Sequence, residues 1–283
     1  MEKFRPPLQW VGGKYWLIDH FQGIAPFIEG RLVSPFLGGG ALEINLAHNF
    51  GIEIIGRDIN ADLINYWQHM LGNPDGVVEK AYGLVVNEAR EDLDLEWADK
   101  SDPWGLRRAG LFRLVNKMSF QSGMARLLPY NMAAGSEGVS VEYKGRAFCF
   151  EYAHSDKLKT IQMHVDVSDF QETLEEYPDD FLYLDPPYIS WSAQSERGAQ
   201  DSYYSGVFDH GMLNELLKRR DNWILSYGHL PQIPYIELAY AGYYFRKFPK
   251  KSSWNKRRRV EGECEKLIFS HDMAEKVRGA SLF

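Results

Sequence analysis

The sequence predicts an α/β fold, a mixed and mostly parallel sheet with helices on both faces and a second unit inserted into it. Two observations support this prediction. Strand-like and helical stretches alternate over the first third of the chain, and strand-like stretches return from residue 181 after a middle part of different character. The 283 residues are 45% hydrophobic and 25% charged, which is typical of globular proteins and excludes disordered, collagen-like and coiled-coil chains.

The N-terminal elements alternate in type. Residues 31–34 predict a short strand, which runs into a glycine turn and then into a helix over residues 41–49 with one apolar side. Residues 52–55 predict a second strand, and apolar residues from 59 to 67 recur at helical spacing. This β-α-β-α order is typical of a parallel sheet covered by helices.

The middle of the chain, residues 72–176, predicts the inserted unit. It begins at a cluster of turn residues that interrupts the alternation. Residues 81–97 predict an acidic helix and residues 109–118 an amphipathic helix. Residues 121–146 are glycine-rich, with scattered aromatic and basic side chains, and predict loops.

Sheet character returns after the insertion. Strands are predicted at residues 181–184, 223–227, 243–248 and 267–270, and a helix at 212–220. The last two strands are expected to close the sheet as an antiparallel pair. The core domain is therefore expected to comprise residues 1–71 and 177–283.

Several classes of protein are excluded by composition. No apolar run approaches the roughly 18 residues that span a bilayer, and the N-terminus lacks the apolar centre of a secretion signal. The two cysteines, Cys149 and Cys264, form no paired motif, and the eight histidines show no metal-ligand spacing. We therefore expect a cytoplasmic protein with no membrane contact and no bound metal.

The glycine turn at residues 36–40 predicts a ligand site, because glycines let a ligand approach the backbone closely. A dinucleotide fingerprint needs Gly or Ala five positions after Gly38, where Glu43 stands, and the Gly13–Lys14 pair is not followed by Ser or Thr. Asp58, at the end of the second strand, suits hydrogen bonds to ribose hydroxyls. A nucleoside without phosphates fits, and S-adenosylmethionine is one. The alternative is a tight turn with a capping aspartate.

The segment Asp-Pro-Pro-Tyr at residues 185–188 follows a strand of buried type. It therefore lies at the carboxyl edge of the sheet, where open α/β folds bind ligands. Its two prolines donate no hydrogen bonds and fix the backbone, so that a carboxylate and a carbonyl oxygen are left as neighbouring acceptors. An exocyclic amino group has two hydrogens that match them, and Tyr188 offers a face on which a base can stack. The alternative is a purely structural turn.

These segments, in this order, resemble those of the DNA adenine N6-methyltransferases of the D12 class, the DNA adenine methylase family. The matching segments are Trp10–Lys14, Phe36–Gly40, Asp58–Asn60, Leu111–Phe112 with Asn116–Lys117, and Asp185–Tyr188, followed by Tyr203, Phe208 and Leu216. The resemblance spans nearly the whole chain. It implies the Rossmann-like fold of S-adenosylmethionine-dependent methyltransferases, with the insertion as target-recognition domain.

The resemblance also implies roles for individual residues. The expected catalytic residues are Asp185, Pro186, Pro187 and Tyr188. The expected cofactor-binding residues are Trp10, Gly13, Lys14, Phe36, Leu37, Gly38, Gly39, Gly40, Asp58, Ile59 and Asp185. The expected DNA contacts are Gln9, Asn116, Lys117 and Arg126, together with the basic cluster of Lys250, Lys251, Lys256, Arg257, Arg258 and Arg259.

A basic segment contrasts with the net charge of −7, since residues 247–259 hold seven Lys or Arg and no acid. We interpret it as a contact with DNA phosphates, the alternative being a solvated loop.

The chain departs from the family pattern at three places. Gln9 stands where relatives carry a DNA-contacting Lys, and the Asn-x-Pro-aromatic-Gly segment that relatives have is absent after Arg126. Tyr227 stands where relatives often have Asn. GATC is the target sequence that the resemblance implies.

The expected function is transfer of a methyl group from S-adenosylmethionine to a flipped-out adenine in double-stranded DNA. A monomer is the expected state, and a restriction partner is left open. Two other classes stay open: a methyltransferase that acts on RNA or on a protein amide, and a non-catalytic DNA-binding module, which would have no need of Asp185.

Overall fold

A computed structural model describes residues 2–10, 12–118, 131–132, 140–143, 146–149, 152–187, 208–229, 238–249 and 264–280. The strands are β1 (Arg31–Ser34), β2 (Glu53–Asp58), β3 (Asn131–Met132), β4 (Ser140–Tyr143), β5 (Arg146–Cys149), β6 (Met163–Val167), β7 (Phe181–Leu184), β8 (Trp223–His229), β9 (Tyr244–Pro249) and β10 (Cys264–Phe269). Seven of these form one sheet in the order β6-β2-β1-β7-β8-β10-β9, and β3, β4 and β5 form a small antiparallel sheet. No helix among the described residues is long and apolar enough to cross a membrane.

The large sheet is mostly parallel. Strands β6, β2, β1, β7 and β8 pair in parallel, and β10 runs antiparallel to both β8 and β9. All four residues of β7 are buried, as expected of a central strand that is covered on both faces. The mixed, mostly parallel α/β fold is therefore confirmed.

Helices cover both faces of this sheet. They are α1 (Ile18–Phe21), α2 (Ala41–Phe50), α3 (Ala61–Gly72), α4 (Pro74–Asn87), α5 (Arg90–Ala98), α6 (Gly105–Met118), α7 (Ser155–Leu158), α8 (Phe170–Glu176), α9 (His210–Leu217) and α10 (His271–Gly279), with short 3-10 turns at Tyr15–Leu17 and Ala25–Phe27. One apolar cluster packs α1 to α4, α6 and α10 against one face, and a second packs α8 and α9 against the other. The first cluster includes helices of the predicted insertion, so these helices share the core of the sheet.

The end predicted for the insertion is too late in the chain. Residues 163–167, inside the predicted range of 72–176, form β6 and pair with β2 along Ile54 to Asp58. Strand β6 lies at the edge of the sheet and only Met163 in it is buried, so its sequence has no apolar run to reveal it. The inserted part of the chain therefore ends before residue 163, where β6 of the large sheet begins.

Two further expectations about the insertion need correction. The single acidic helix expected at 81–97 is two helices, α4 and α5, because the backbone is extended at Glu88 and Ala89. Helix α4 begins earlier, at Pro74, where the side chain of Asn73 accepts a hydrogen bond from the N–H of Gly76. Within the stretch 121–146, which was expected to be loops, β3 and β4 pair with each other.

The order of the strands reverses between β1 and β7. The chain passes from β1 to β2 and β6 on one side, and β7 pairs with β1 on the other side. Open α/β sheets bind ligands outside the carboxyl ends of the strands at such a reversal. The turn after β1 and the segment after β7 are therefore neighbours at the carboxyl edge.

Candidate active site at the carboxyl edge of the sheet

The glycine turn after β1 is held on both sides by tryptophans. Gly38 and Gly40 have φ of +47° and +57°, which favour glycine. A Cβ at Gly38 would lie 2.8 Å from Nε1 of Trp10, and one at Gly40 would lie 2.7 Å from the ring of Trp67. Nε1 of Trp67 also donates a hydrogen bond to the Gly38 carbonyl over 3.0 Å. The turn therefore tolerates no side chain at these two positions.

Asp58, at the end of β2, connects this turn to the next strand end. The carboxylate is 2% exposed and accepts hydrogen bonds from the N–H of Gly38 and of Asn60, each over 3.0 Å. The structure thus gives Asp58 a role in shaping the turn, and its expected contact with ribose stays a prediction.

Apolar side chains lie at the same edge. Ile59, which follows Asp58, is 63% exposed. Phe36 packs against Phe170 and Phe208, with ring centroids 5.8 Å and 5.5 Å apart. Sequence reasoning did not identify Phe170, which is the first residue of α8. The signal that could have revealed this helix is Asp169, the capping residue immediately before it. These flat and apolar surfaces are suited to an aromatic ligand ring.

Three charged groups from distant parts of the chain meet beside the Asp-Pro-Pro segment. Nζ of Lys14 lies 2.8 Å from Oδ2 of Asp185 and 3.9 Å from Oε2 of Glu265, and it donates to the Gly12 carbonyl over 2.6 Å. Lys14 is 4% exposed and Asp185 is 21% exposed. Lys14 therefore orients Asp185, while part of the carboxylate still faces the solvent. The role of Glu265, at the start of β10, had no sequence signal.

A buried carboxyl group lies on α2, close to these charges. The hydroxyl of Ser34 donates to Oε1 of Glu43 over 2.8 Å, and Glu43 is 3% exposed. Burial raises the pKa of Glu43 to about 7; the negative charge of Asp185 also raises it, whereas Lys14 lowers it. Burial likewise holds the pKa of Tyr183 well above its usual value. Glu43 is thus partly protonated near neutral pH, and sequence reasoning had used it only to exclude a dinucleotide site.

Tyr227, the third departure from the family pattern, lies on β8 with its side chain 2% exposed. Its hydroxyl forms a hydrogen bond with Nδ1 of His210, at the start of α9. Burial lowers the pKa of His210 to about 4, so its ring is neutral at neutral pH. The pair therefore adds a polar but uncharged group to this part of the sheet.

The expected DNA contacts divide into two groups. Asn116 was expected to contact DNA, but it is 2% exposed and both its polar atoms bond to the backbone of Gln9, so its buried side chain positions the chain instead. Gln9 is exposed, and Lys117 is half-buried at the end of α6. The remaining expected DNA contacts lie outside the described residues: Arg126, Lys250, Lys251, Lys256, Arg257, Arg258 and Arg259. Tyr188, which was expected to be catalytic, also lies outside them.

The fold and the site define a class of protein. The sheet order, the antiparallel strand β10 and a ligand turn without a pyrophosphate signature are those of the Rossmann-like methyltransferases. A profile of the D12 class N6 adenine-specific DNA methyltransferases matches residues 10–258, and the chain belongs to this family. It is an adenine-specific DNA methyltransferase, which acts on DNA and uses a methyl donor.

Curated relatives agree with this assignment. The chain is 30% identical to the type II methyltransferase M1.LlaDCHI of Lactococcus lactis subsp. cremoris, over 77% of this chain and 78% of the relative. It is also 30% identical to the DNA adenine methylase of Haemophilus influenzae, over 76% and 75%, and to that of Escherichia coli K12, over 74% and 72%. The family that the sequence motifs implied is therefore confirmed.

Proposed function

We propose that this methyltransferase transfers the methyl group of S-adenosylmethionine to N6 of an adenine that is flipped out of double-stranded DNA. The observation that carries the proposal is the contact between Lys14 and Asp185 over 2.8 Å, next to the glycine turn. It joins an amino-group acceptor to the predicted cofactor site at one edge of the sheet. GATC is the sequence that we propose to test first.

The chemistry of the edge supports S-adenosylmethionine as the methyl donor. The exposed Ile59 and the aromatic ring of Phe36 suit the adenine ring, and Asp58 is proposed to accept from ribose hydroxyls. Lys14, Asp185 and Glu265 together carry one positive and two negative charges, so their net negative charge suits a sulfonium cation. When bound, the cofactor supplies an activated methyl group.

Asp185 orients the target nitrogen in this proposal. Its carboxylate and the carbonyl oxygen of Pro186 accept the two hydrogens of the amino group, which turns the nitrogen lone pair out of conjugation with the ring. Lys14 keeps Asp185 in position through their contact of 2.8 Å. As the nitrogen gains positive charge during transfer, the carboxylate stabilises it. Much of the rate then comes from positioning the two reactants in line.

DNA is bound by two kinds of contact. The basic cluster between residues 250 and 259 is proposed to bind phosphates without regard to sequence. Arg126, in the insertion, is proposed to read a guanine through O6 and N7. Tyr188 is proposed to stack on the flipped adenine.

The proposed reaction is tested by incubating the protein with labelled S-adenosylmethionine and a set of duplex DNA, single-stranded DNA and RNA substrates, followed by sequencing of modified bases. We expect N6-methyladenine in duplex DNA only. Asp185→Asn should reduce methyl transfer by about 100-fold or more, with DNA binding retained. Methylation of RNA, or an Asp185→Asn variant as active as the wild type, would contradict the proposed reaction.

The two DNA roles are separated by measuring methylation rates at two salt concentrations on duplexes that each differ by one base pair. Arg257→Ala should weaken all duplexes alike and reduce the salt slope by roughly one. Arg126→Ala should relax discrimination at one base pair by about 1–3 kcal/mol and leave the salt slope nearly unchanged. A uniform loss for Arg126→Ala would make it another phosphate contact.

A further inference from the structure

Three asparagines hold the N-terminal strap, which we define as residues 2–10. Each side-chain amide accepts from the backbone N–H and donates to the backbone carbonyl of one strap residue. The pairs are Asn49 with Glu2 (2.9 and 2.7 Å), Asn45 with Phe4 (3.0 and 2.9 Å) and Asn116 with Gln9 (3.0 and 2.7 Å). An amide offers one acceptor and a donor group side by side, so it fixes both the position and the direction of an extended backbone.

The strap connects two parts of the molecule. Asn45 and Asn49 lie four residues apart on α2, the helix that follows the glycine turn. Asn116 lies in the last turn of α6, in the insertion. Between these anchors the carbonyl of Pro7 accepts hydrogen bonds from Nη1 of Arg113, over 3.0 Å, and from the hydroxyl of Tyr66, over 3.2 Å. A displacement of α6 therefore moves the strap relative to α2.

The end of the strap carries Trp10 into the site. A Cβ at Gly38 or at Gly39 would lie 2.8 Å from Trp10 atoms, so the residue packs directly on the glycine turn. The Trp10 ring also stacks on Phe112 of α6, with centroids 6.4 Å apart and planes at 14°. The backbone of the residue immediately before it, Gln9, is the one that Asn116 holds. Trp10 is thus fixed from α6 through the backbone and through its ring.

We propose that Asn116 is a positioning residue that holds Trp10 on the glycine turn through the backbone of Gln9 and so couples DNA recognition by the insertion to cofactor binding. Helix α6 leads at Met118 into the segment that contains Arg126, so DNA bound there acts on the end of the helix that carries Asn116. DNA that fixes this end also fixes Trp10, and cofactor affinity rises. By linkage, the cofactor raises DNA affinity by the same factor. The inference rests on the proposed cofactor and duplex substrate.

The coupling is measured as the ratio of two dissociation constants for the cofactor site, the one without DNA divided by the one with DNA. The probe is S-adenosylhomocysteine, which binds without turnover, titrated by calorimetry with and without a saturating duplex that the wild-type protein methylates. For the wild type we expect tighter binding with DNA, by about tenfold. In Asn116→Ala the ratio should fall to within about twofold of one.

Asn45→Ala is the matched control, because it removes the same pair of hydrogen bonds from the strap at Phe4 and leaves Gln9 and α6 untouched. It should lower the thermal midpoint and keep the wild-type ratio. Asn116→Asp retains the acceptor for the Gln9 N–H and loses the donor to the Gln9 carbonyl at neutral pH, so it should give an intermediate ratio. Thermal unfolding of each variant verifies that it is folded.

The possible outcomes separate this inference from the proposed function. Three results would each overturn the coupling while leaving the methyltransferase site intact. They are a ratio of one in the wild type, an unchanged ratio in folded Asn116→Ala, and an equal fall of the ratio in Asn116→Ala and Asn45→Ala. A wild-type protein that does not bind S-adenosylhomocysteine at all would overturn the proposed cofactor, and this inference with it.

Discussion

The ionisation of Glu43 gives a quantitative prediction for stability. The side chain is 3% exposed, and its Oε1 accepts a hydrogen bond from the Ser34 hydroxyl over 2.8 Å. A glutamate in the unfolded chain has a pKa near 4.5, whereas burial raises that of Glu43 to about 7. The folded protein therefore binds this proton more tightly than the unfolded chain does. The protonated Glu43 therefore contributes fully to the free energy of unfolding below pH 4.5, and this contribution is lost as the pH rises towards 7.

The perturbation is Glu43→Gln, which retains an acceptor for the Ser34 hydroxyl but does not ionise. A change of pKa from 4.5 to about 7 corresponds to about 3 kcal/mol. The free energy of unfolding of the wild type should therefore fall by about 3 kcal/mol relative to Glu43→Gln between pH 4.5 and pH 8. All other groups titrate in both proteins, so the difference isolates position 43.

Urea denaturation at pH 4.5, 5.5, 6.5 and 8 measures this difference. Glu79→Gln, at an exposed position on α4, is the control substitution and is measured at the same four pH values. A Glu43→Gln difference that is constant over the whole range would refute the reasoning. Glu43 would then be ionised in the folded protein at every pH tested, stabilised by Lys14 more strongly than burial opposes it.

Three further predictions follow from single contacts. Arg108→Met should lower the free energy of unfolding by about 3–5 kcal/mol, because Asp62, which is 7% exposed, loses its buried partner at 2.6 Å. Lys100→Met removes a half-exposed partner of the same carboxylate and should lower it by about 1 kcal/mol or less. Urea denaturation of the two variants measures both changes. Gly38→Ala should fold but bind S-adenosylhomocysteine at least about tenfold more weakly by calorimetry, because φ is +47° and a Cβ has no room. Asp58→Asn should weaken the same ligand by about 1–3 kcal/mol, and an unchanged affinity would remove Asp58 from the cofactor site.

Local pattern determined much of the fold. The strands β1 and β7 begin and end where the sequence predicts, because turn residues bound both strands and apolar residues occupy the two central positions of β1 and all four positions of β7. Placing motifs at the ends of these strands was enough to predict that the glycine turn and the Asp-Pro-Pro segment share an edge, since parallel strands present their carboxyl ends together. The motifs also determined the family, which the profile over residues 10–258 confirms.

Tertiary structure decided what depends on partners distant in sequence. Strand β6 exists because β2 supplies its hydrogen bonds, and an edge strand needs no apolar run. The sequence suggests that Asn116 contacts DNA, whereas in the structure both its polar atoms bond to the backbone of Gln9, 107 residues away. Lys14, Asp185 and Glu265 meet only through the order of the strands, and the protonation of Glu43 depends on burial that no local pattern reports. The spacing of apolar residues indicates which face of a helix or strand is buried, whereas packing between elements determines which residues contact that face.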